Sequence, residues 1–228
     1  MKFIVIEGLD GSGKSTQLKK LKTYLSDNNI QFQYLHFPRT DSRIYGDLVA
    51  RFLRGELGDI NNVNPYLIAL IYAGDRNDAK HIIANWLNDG QLVLVDRYVY
   101  SNIAFQCAKL DNQEEKSKLS EWIKDLEYNY FKIPKPALNI FLNVPFEFTM
   151  QNLTNQRDGS DRDYLKGKED IHEKDFDFQR RVQDVYLYEA QFDPTLKIIQ
   201  CADEKGQMPT SDIVFDKLIS LLKTENII

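Results

Sequence analysis

The feature that most constrains this chain is a glycine-rich segment that directly follows a short apolar run. The segment reads Gly8-Leu9-Asp10-Gly11-Ser12-Gly13-Lys14-Ser15, and the apolar run before it covers residues 3–6. The pattern GxxxxGK[ST] between a strand and a helix forms a loop whose backbone N–H groups surround phosphate oxygens. In such a loop the lysine reaches the β- and γ-phosphates, the serine binds Mg²⁺, and the following helix adds its positive end. The segment therefore predicts a nucleotide-binding P-loop.

The composition of the chain is typical of a globular protein that acts on a small ligand. The chain has 228 residues, of which 43% are hydrophobic, and its net charge of −5 argues against nucleic acid as the main partner. No apolar run approaches the roughly 20 residues of a membrane span, and the first apolar run is too short for a signal peptide. Cys107 and Cys201 fit neither a disulfide framework nor a metal-binding spacing. We expect one domain over residues 1–228, in the cytoplasm, without a membrane partner.

Five short apolar runs alternate with longer helical stretches along the chain. Near-continuous apolar runs are typical of parallel strands that are covered on both faces. The strands are predicted at 3–6, 32–37, 92–95, 138–144 and 196–200. The helices are predicted at 15–27, 45–54, 65–88, 101–108, 114–131, 146–155, 173–191 and 210–223. This order of βα units predicts a three-layer α/β fold in which helices cover both faces of a five-stranded parallel sheet.

A polar segment between the last two of these strands differs from the rest of the chain. It begins near residue 155, contains few apolar residues and is interrupted by Gly159. A segment of this composition between two helices suits a mobile lid, although an idle surface loop explains it equally well. We expect a lid at about residues 155–172.

Two basic motifs follow predicted strands, at the carboxyl edge of the sheet where open α/β folds bind ligands. Phe37-Pro38-Arg39 follows the second strand, so the Arg39 side chain can bind a second phosphate. Asp96-Arg97-Tyr98 follows the third strand and places one carboxylate beside the P-loop as a Mg²⁺-water ligand. Taken singly, each motif is better explained as a turn or a structural ion pair. Their joint occurrence after a P-loop favours a second anionic substrate.

A third pair of residues lies within the predicted helix 65–88. Tyr72 and Arg76 are four residues apart, so their side chains share one face of that helix. An aromatic ring beside a guanidinium can hold a nucleobase, although a pair of this kind is more often helix-surface packing. We interpret the pair as the candidate base site.

These motifs together resemble the thymidylate kinase family, in particular its bacterial members, over nearly the whole chain. The match covers the P-loop, Phe37-Pro38-Arg39, Tyr72 with Arg76, and Asp96-Arg97-Tyr98 followed by Ser101-Asn102. The resemblance implies the reaction of ATP with dTMP to give ADP and dTDP, assisted by Mg²⁺. It also implies that dTMP is the small-molecule partner, and it makes a homodimer a candidate assembly.

The resemblance further implies roles for individual side chains. Arg39 would bind the acceptor phosphate, Tyr72 would stack on thymine, and Arg76 would donate to a carbonyl oxygen of the base. Asn102, with Gln106, would read the base edge, and Phe105 would crowd the 2′ carbon of the sugar and favour deoxyribose. The candidate acceptor contacts are Asp10, Arg39, Tyr72, Arg76, Arg97, Ser101, Asn102, Phe105 and Gln106.

The remaining candidates concern the nucleotide, the metal ion and the chemistry. Those for the nucleotide are Gly8, Gly11, Ser12, Gly13, Lys14, Ser15 and Thr16, and those for Mg²⁺ are Ser15 and Asp96. Gly11 stands where some family members carry an arginine, and members without it supply catalytic arginines from the lid. The catalytic candidates are therefore Lys14, Arg39, Arg97, Asp10, Arg157 and Arg162.

The match has departures at the base site and in the lid, and a further likeness lies after the lid. Tyr72 stands where phenylalanine is common, and Asp163 stands where glutamate is expected. Glu173 resembles a residue that orders the nucleotide, but an acidic residue opening a helix is equally explained by the helix dipole.

Other functions remain open on sequence grounds: a kinase for another monophosphate, a deoxynucleoside kinase and a nucleotide-dependent switch. A deoxynucleoside kinase needs a carboxylate as base for a sugar hydroxyl, and Glu7 or Asp96 could serve, but Arg39 would then have no role. A nucleotide-dependent switch would need no small acceptor. In its GTPase form such a switch carries an Asn-Lys-x-Asp guanine reader, and the chain contains no Asn-Lys pair.

Overall fold

The computed structural model of the chain describes residues 2–58, 63–154 and 175–228. Within them, five strands form one parallel sheet: β1 (Phe3–Glu7), β2 (Phe32–His36), β3 (Leu92–Asp96), β4 (Leu138–Asn143) and β5 (Leu196–Gln200). Their order across the sheet is β2-β3-β1-β4-β5. Because β1 lies in the centre with β3 and β4 on either side, the carboxyl ends of β1 and β3 are neighbours. The P-loop and the Asp96-Arg97-Tyr98 motif therefore emerge side by side.

Helices connect the strands and flank the sheet. They are α1 (Lys14–Asp27), α2 (Tyr45–Leu53), α3 (Pro65–Asn88), α4 (Val99–Cys107), α5 (Gln113–Lys124), α6 (Phe146–Thr154), α7 (Phe176–Glu189) and α8 (Ser211–Thr224). A π-helical turn, Asp125–Tyr130, continues α5. In the described ranges, none of the helices combines the length and the apolarity needed to cross a membrane.

The buried side chains of β1 show that the sheet has a core on each face. Phe3 and Val5 belong to one apolar cluster, which also holds side chains of α3, α4, α5 and α7. Ile4 and Ile6 belong to a second cluster, which holds side chains of α1 and α8. Since alternate residues of a strand point to opposite faces, helices cover both sides of the sheet. The predicted three-layer fold with a five-stranded parallel sheet is confirmed.

The predicted helices agree with the structure to within one residue at each end, except at three places. The helix predicted at 101–108 begins at Val99, because the buried side chain of Glu7 accepts hydrogen bonds from the backbone of Tyr98 and Ser101. The helix predicted at 114–131 changes to π-helical geometry after Lys124. The described part of the helix predicted at 173–191 starts at Phe176, where Asp175 caps the N-terminus.

Candidate active site

The P-loop lies between β1 and α1, and its backbone has the form that a phosphate group requires. Gly11 and Gly13 have φ angles of 80° and 77°, which favour glycine. A Cβ atom added at Gly8 would lie 2.8 Å from Ser12 Oγ, so a side chain there would fill the loop. The Ser12 hydroxyl is buried and has no hydrogen-bond partner in the described part of the chain. These features fit a loop that surrounds phosphate oxygens.

Lys14 and Asp96, the predicted phosphate and metal contacts, lie together and are bound to each other. The distance from Lys14 Nζ to Asp96 Oδ1 is 2.5 Å, and both side chains are buried. The other carboxylate oxygen is 3.0 Å from His36 Nδ1, so β2 also contributes to this cluster. Burial lowers the pKa of Lys14. Burial also acts to raise the pKa of Asp96, but the charge of Lys14 and the hydrogen bond from His36 hold it well below its usual range.

The predicted metal ligand Ser15 and the nucleotide contact Thr16 are exposed at the start of α1. Within residues 2–58, 63–154 and 175–228, no group of three or more His, Cys, Asp or Glu side chains could hold a metal ion. This is compatible with Mg²⁺, which proteins usually bind through one or two carboxylates together with the phosphates of a substrate. Ser15 and Asp96 are a donor set of that kind.

Arg39 follows a cis Phe37–Pro38 peptide bond and is held by two carboxylates of α3. Its Nε donates to Asp75 Oδ1 at 2.9 Å, its backbone N–H to Asp75 Oδ2 at 2.8 Å, and its Nη2 to Asp78 Oδ2 at 2.6 Å. Burial acts to lower the pKa of Arg39, but Asp78 and Asp75 outweigh it and raise the pKa. The guanidinium is thus charged and oriented, and Asp78 is an exposed partner that an incoming anion can replace.

The structure brings three predicted residues, Asp10, Ser101 and Phe105, together around Arg97. Its backbone has a φ of 64°, its Nη2 is 2.6 Å from Asp10 Oδ1, and its Nη1 donates to Ser101 Oγ at 3.1 Å. The guanidinium lies 5.2 Å from the centroid of the Phe105 ring. Burial acts to lower the pKa of Arg97, but Asp10 in particular raises it above its ordinary value. This cluster places a fixed positive charge next to the P-loop.

Glu7, which precedes the P-loop, holds the turn that carries Arg97. Its Oε1 accepts from the backbone N–H groups of Tyr98 (2.9 Å) and Ser101 (3.3 Å). Its Oε2 accepts from the hydroxyl groups of Ser101 (2.5 Å) and Tyr186 (2.9 Å). Because Glu7 is fully buried and both oxygens are bound by donors of the chain, it is ill suited to act as a general base.

Arg76 and Asn102, two of the predicted base contacts, meet at Glu127 of the π-helical turn. Arg76 donates to Glu127 through Nε at 2.5 Å and Nη2 at 2.7 Å, and Asn102 Nδ2 donates to Glu127 Oε1 at 3.0 Å. Tyr72 is half-buried and packs against the apolar cluster between α2 and α3. Gln106 is buried one turn after Asn102 and accepts a hydrogen bond from Lys109 at 2.7 Å.

The predicted lid lies outside the described residues, and so do Arg157, Arg162, Asp163 and Glu173. Elements before and after it contact the P-loop. Asn152 of α6 donates to the Gly11 carbonyl at 2.7 Å, and Gln179 of α7 donates to Asp10 at 3.4 Å.

Sequence reasoning missed the acidic partners of Arg39 and Arg76, which are Asp75, Asp78 and Glu127. It also missed His36 and Asn152 near the P-loop. Asp75 had a usable signal, because it lies on the helix face next to the quoted Arg76. Glu127 had none, since it is 51 residues away from its partner in the chain.

A P-loop, an adjacent buried acid and two oriented arginines at one sheet edge define a P-loop enzyme that handles a nucleotide and a second anion. A family model described as thymidylate kinase matches residues 6–211. The chain belongs to the thymidylate kinase family and is a kinase, so both of these predictions are confirmed.

Individual relatives agree with this assignment. The thymidylate kinase of Mycobacterium tuberculosis is 32% identical over 184 residues, which cover 81% of this chain and 83% of the relative. The thymidylate kinase of Plasmodium falciparum is 32% identical over 224 residues, which cover 98% of this chain and 92% of the relative. The solved structure of thymidylate kinase from Candida albicans has a TM-score of 0.72 at 24% identity and covers 99% of this chain and 92% of its own, which supports the fold. These relatives do not decide whether the chain belongs with the bacterial members of the family, which stays a prediction.

Proposed function

We propose that the chain transfers the γ-phosphoryl group of ATP to the phosphate of dTMP, and that Mg²⁺ assists this transfer. The observation that carries the proposal is the arrangement of Lys14, Arg39 and Arg97 at the carboxyl ends of three neighbouring strands, the edge of the sheet that carries the P-loop. Each of these cations forms an ion pair with a carboxylate: Lys14 with Asp96, Arg39 with Asp75, and Arg97 with Asp10. A protein that only bound a nucleotide would have no physical need for the second and third cations.

Two anionic phosphate groups must come into contact for this reaction, and their repulsion is the main obstacle. The acceptor oxygen is already anionic near neutral pH, so position and charge matter more than a strong base. Arg39 would bind the acceptor phosphate, with Asp75 retaining its Nε and Asp78 giving way. Arg97 and Lys14 would stabilise charge on the transferring group, and the lid arginines Arg157 and Arg162 are proposed to add to it.

Ser15 and Asp96 are the residues that would hold Mg²⁺, which when bound would offset negative charge on the β- and γ-phosphates. For this, Lys14 must exchange Asp96 for phosphate oxygens. Both partners are buried, so their present pairing keeps two charges satisfied that would otherwise be costly.

The acceptor base is proposed to lie between Tyr72 and α4, where Arg76, Asn102 and Gln106 supply polar atoms. Phe105 is buried and packs against the Arg97 guanidinium, and its ring is proposed to limit the space beside the sugar. Exclusion of ribose at this ring remains part of the proposal.

The homodimer and the cytoplasmic location are also proposals. Exposed apolar side chains on the first turns of α3 offer a surface for a second copy, since Leu67 is 60% exposed and Leu70 is 42% exposed.

The test is release of ADP from ATP and Mg²⁺ in the presence of single acceptors. We expect rapid release with dTMP and slow release with thymidine or with no acceptor. Release with thymidine alone would support the nucleoside kinase, and release that is independent of any acceptor would support the switch.

A further inference from the structure

Three side chains from three elements form a buried polar cluster at the proposed base site. Arg76 of α3, Asn102 of α4 and Glu127 of the π-helical turn are 2%, 3% and 0% exposed. Glu127 accepts two hydrogen bonds from Arg76 and one from Asn102. A buried carboxylate and a buried guanidinium keep each other in one geometry, because loss of either leaves an uncompensated charge. The cluster is therefore rigid.

The contacts of Asn102 fix the orientation of its amide group. Its Nδ2 atom is 3.0 Å from the carbonyl oxygen of Ala69 and 3.0 Å from Glu127 Oε1. Both of these atoms can only accept hydrogen bonds, so a flipped amide would place Oδ1 against two acceptors. The two N–H donors of Asn102 are thus used within the protein. Its Oδ1 is buried and has no hydrogen-bond partner in the described ranges.

Gln106 lies one turn further along the same face of α4, and its unpaired atom is a hydrogen-bond donor, whereas that of Asn102 is an acceptor. Lys109 Nζ donates to Gln106 Oε1 at 2.7 Å, which leaves the Nε2 group for another partner. That Nε2 atom is also buried and without a partner among the described residues. Buried polar atoms in proteins are nearly always hydrogen-bonded, and the acceptor on Asn102 and the donor on Gln106 lie one helical turn apart at the proposed base site, where a base edge of the complementary pattern would pair with both.

Pyrimidine bases differ in this pattern. Thymine and uracil carry an N3–H donor between two carbonyl acceptors, whereas cytosine carries an unprotonated N3 acceptor next to an amino donor. An imide edge would donate from N3–H to Asn102 Oδ1 and accept from Gln106 Nε2. Cytosine would place its N3 acceptor against the Asn102 oxygen. The oxygen is covered in this conformation, so side chains around it must move to admit a base.

We propose that Glu127 is a specificity-determining positioning residue, which makes Asn102 an obligate acceptor and thereby selects thymine or uracil over cytosine. Glu127 acts through Asn102 and Arg76 and touches no substrate. The inference rests on the proposed function, because it concerns recognition of the acceptor base.

The test compares kcat and KM for dTMP, dUMP and dCMP in the wild type and in Glu127→Gln. We expect the wild type to favour dTMP over dCMP by at least about 10³-fold in kcat/KM, since mismatched buried polar groups discriminate strongly. An amide at position 127 can donate to Asn102 Oδ1, so that a turned Asn102 amide would face one acceptor, the Ala69 carbonyl, instead of two. Glu127→Gln should therefore reduce the dTMP/dCMP ratio at least about 10-fold, chiefly through a higher KM for dTMP.

Four comparisons separate a positioning role of Glu127 from general damage to the protein. The dTMP/dUMP ratio and the KM for ATP should stay within about twofold, because both bases share N3–H and ATP binds elsewhere. Glu127→Asp keeps an acceptor and should therefore recover part of the discrimination between dTMP and dCMP. Glu121→Gln makes the same chemical change at an exposed site on α5 and should match the wild type.

Loss of rate in equal proportion for dTMP and dCMP in Glu127→Gln would overturn the inference, and so would a wild type that uses both equally. If Glu127→Gln does not fold, Glu127→Asp serves instead: its shorter side chain draws the carboxylate away from Asn102, and an unchanged dTMP/dCMP ratio would equally refute the inference. A wild type that phosphorylates no monophosphate would instead contradict the proposed function.

Discussion

Replacement of Glu7 by glutamine distinguishes a structural anchor from a catalytic base. In Glu7→Gln the amide oxygen can still accept from the backbone N–H groups of Tyr98 and Ser101. The amide nitrogen can donate to the hydroxyls of Ser101 and Tyr186, which can rotate to accept. The main loss is therefore the difference between hydrogen bonds to a charged acceptor and to a neutral one, about 1 kcal/mol for each of the two backbone bonds.

We expect Glu7→Gln to be less stable by about 2 kcal/mol, which for a chain of this size corresponds to about 4–8 °C in Tm. Turnover of dTMP at 25 °C should stay within about tenfold of the wild type, because the turn that carries Arg97 is retained. Glu7→Ala leaves the buried N–H groups unpaired and should be destabilised by more than twice as much. Urea unfolding and ADP-release kinetics measure both quantities. A loss of about 10³-fold in turnover in a Glu7→Gln protein of unchanged stability would show that Glu7 is a base and would refute this reasoning.

Three further predictions follow from the charged residues. Lys14→Ala or Arg39→Ala should lower kcat at least about 10³-fold in a steady-state assay, and a near-normal rate would contradict the assigned roles. Asp78→Asn frees Arg39 from an exposed ion pair and should lower the KM for dTMP by about two- to fivefold, whereas a higher KM would show that Asp78 helps to bind the substrate. Burial lowers the pKa of Lys109 to about 7, against about 10.4 in the unfolded chain, so the unfolded chain binds more protons between these values. From pH 7 to 10 the free energy of unfolding in urea should therefore rise more for the wild type than for Lys109→Met. Equal pH dependence of the two proteins would disprove the shift, and Lys118→Met, at an exposed site, is the matched control.

The sheet could be predicted from sequence because its strands are covered on both faces and therefore read as continuous apolar runs. The strand at residues 196–200 and the helix at 65–88 have the predicted bounds. Helix α4 begins two residues earlier than predicted, since its cap comes from Glu7, which is distant in the chain. The π-helical geometry after Lys124 also had no local signal.

The grouping of the site residues could be predicted for a similar reason. Parallel strands end at one edge, so residues that follow β1 and β3 must meet there, as Asp10 and Arg97 do. The partners of Arg39 and Arg76 could not be predicted, because the sequence of a helix does not show whether one of its acidic residues is solvated or buried. Burial of Asp75 and Glu127 arises only when α3 and the π-helical turn pack against the sheet and α4.

The central claim is that one pocket holds two nucleotides with their phosphates in contact. The most direct measurement is a crystal structure of the protein with dTMP and a non-hydrolysable ATP analogue. We predict about 3–3.5 Å between the γ-phosphorus and an oxygen of the dTMP phosphate, with Arg39 on the acceptor phosphate and Lys14 on the donor. Occupancy by a single nucleotide, or two nucleotides whose phosphates lie far apart, would contradict the account.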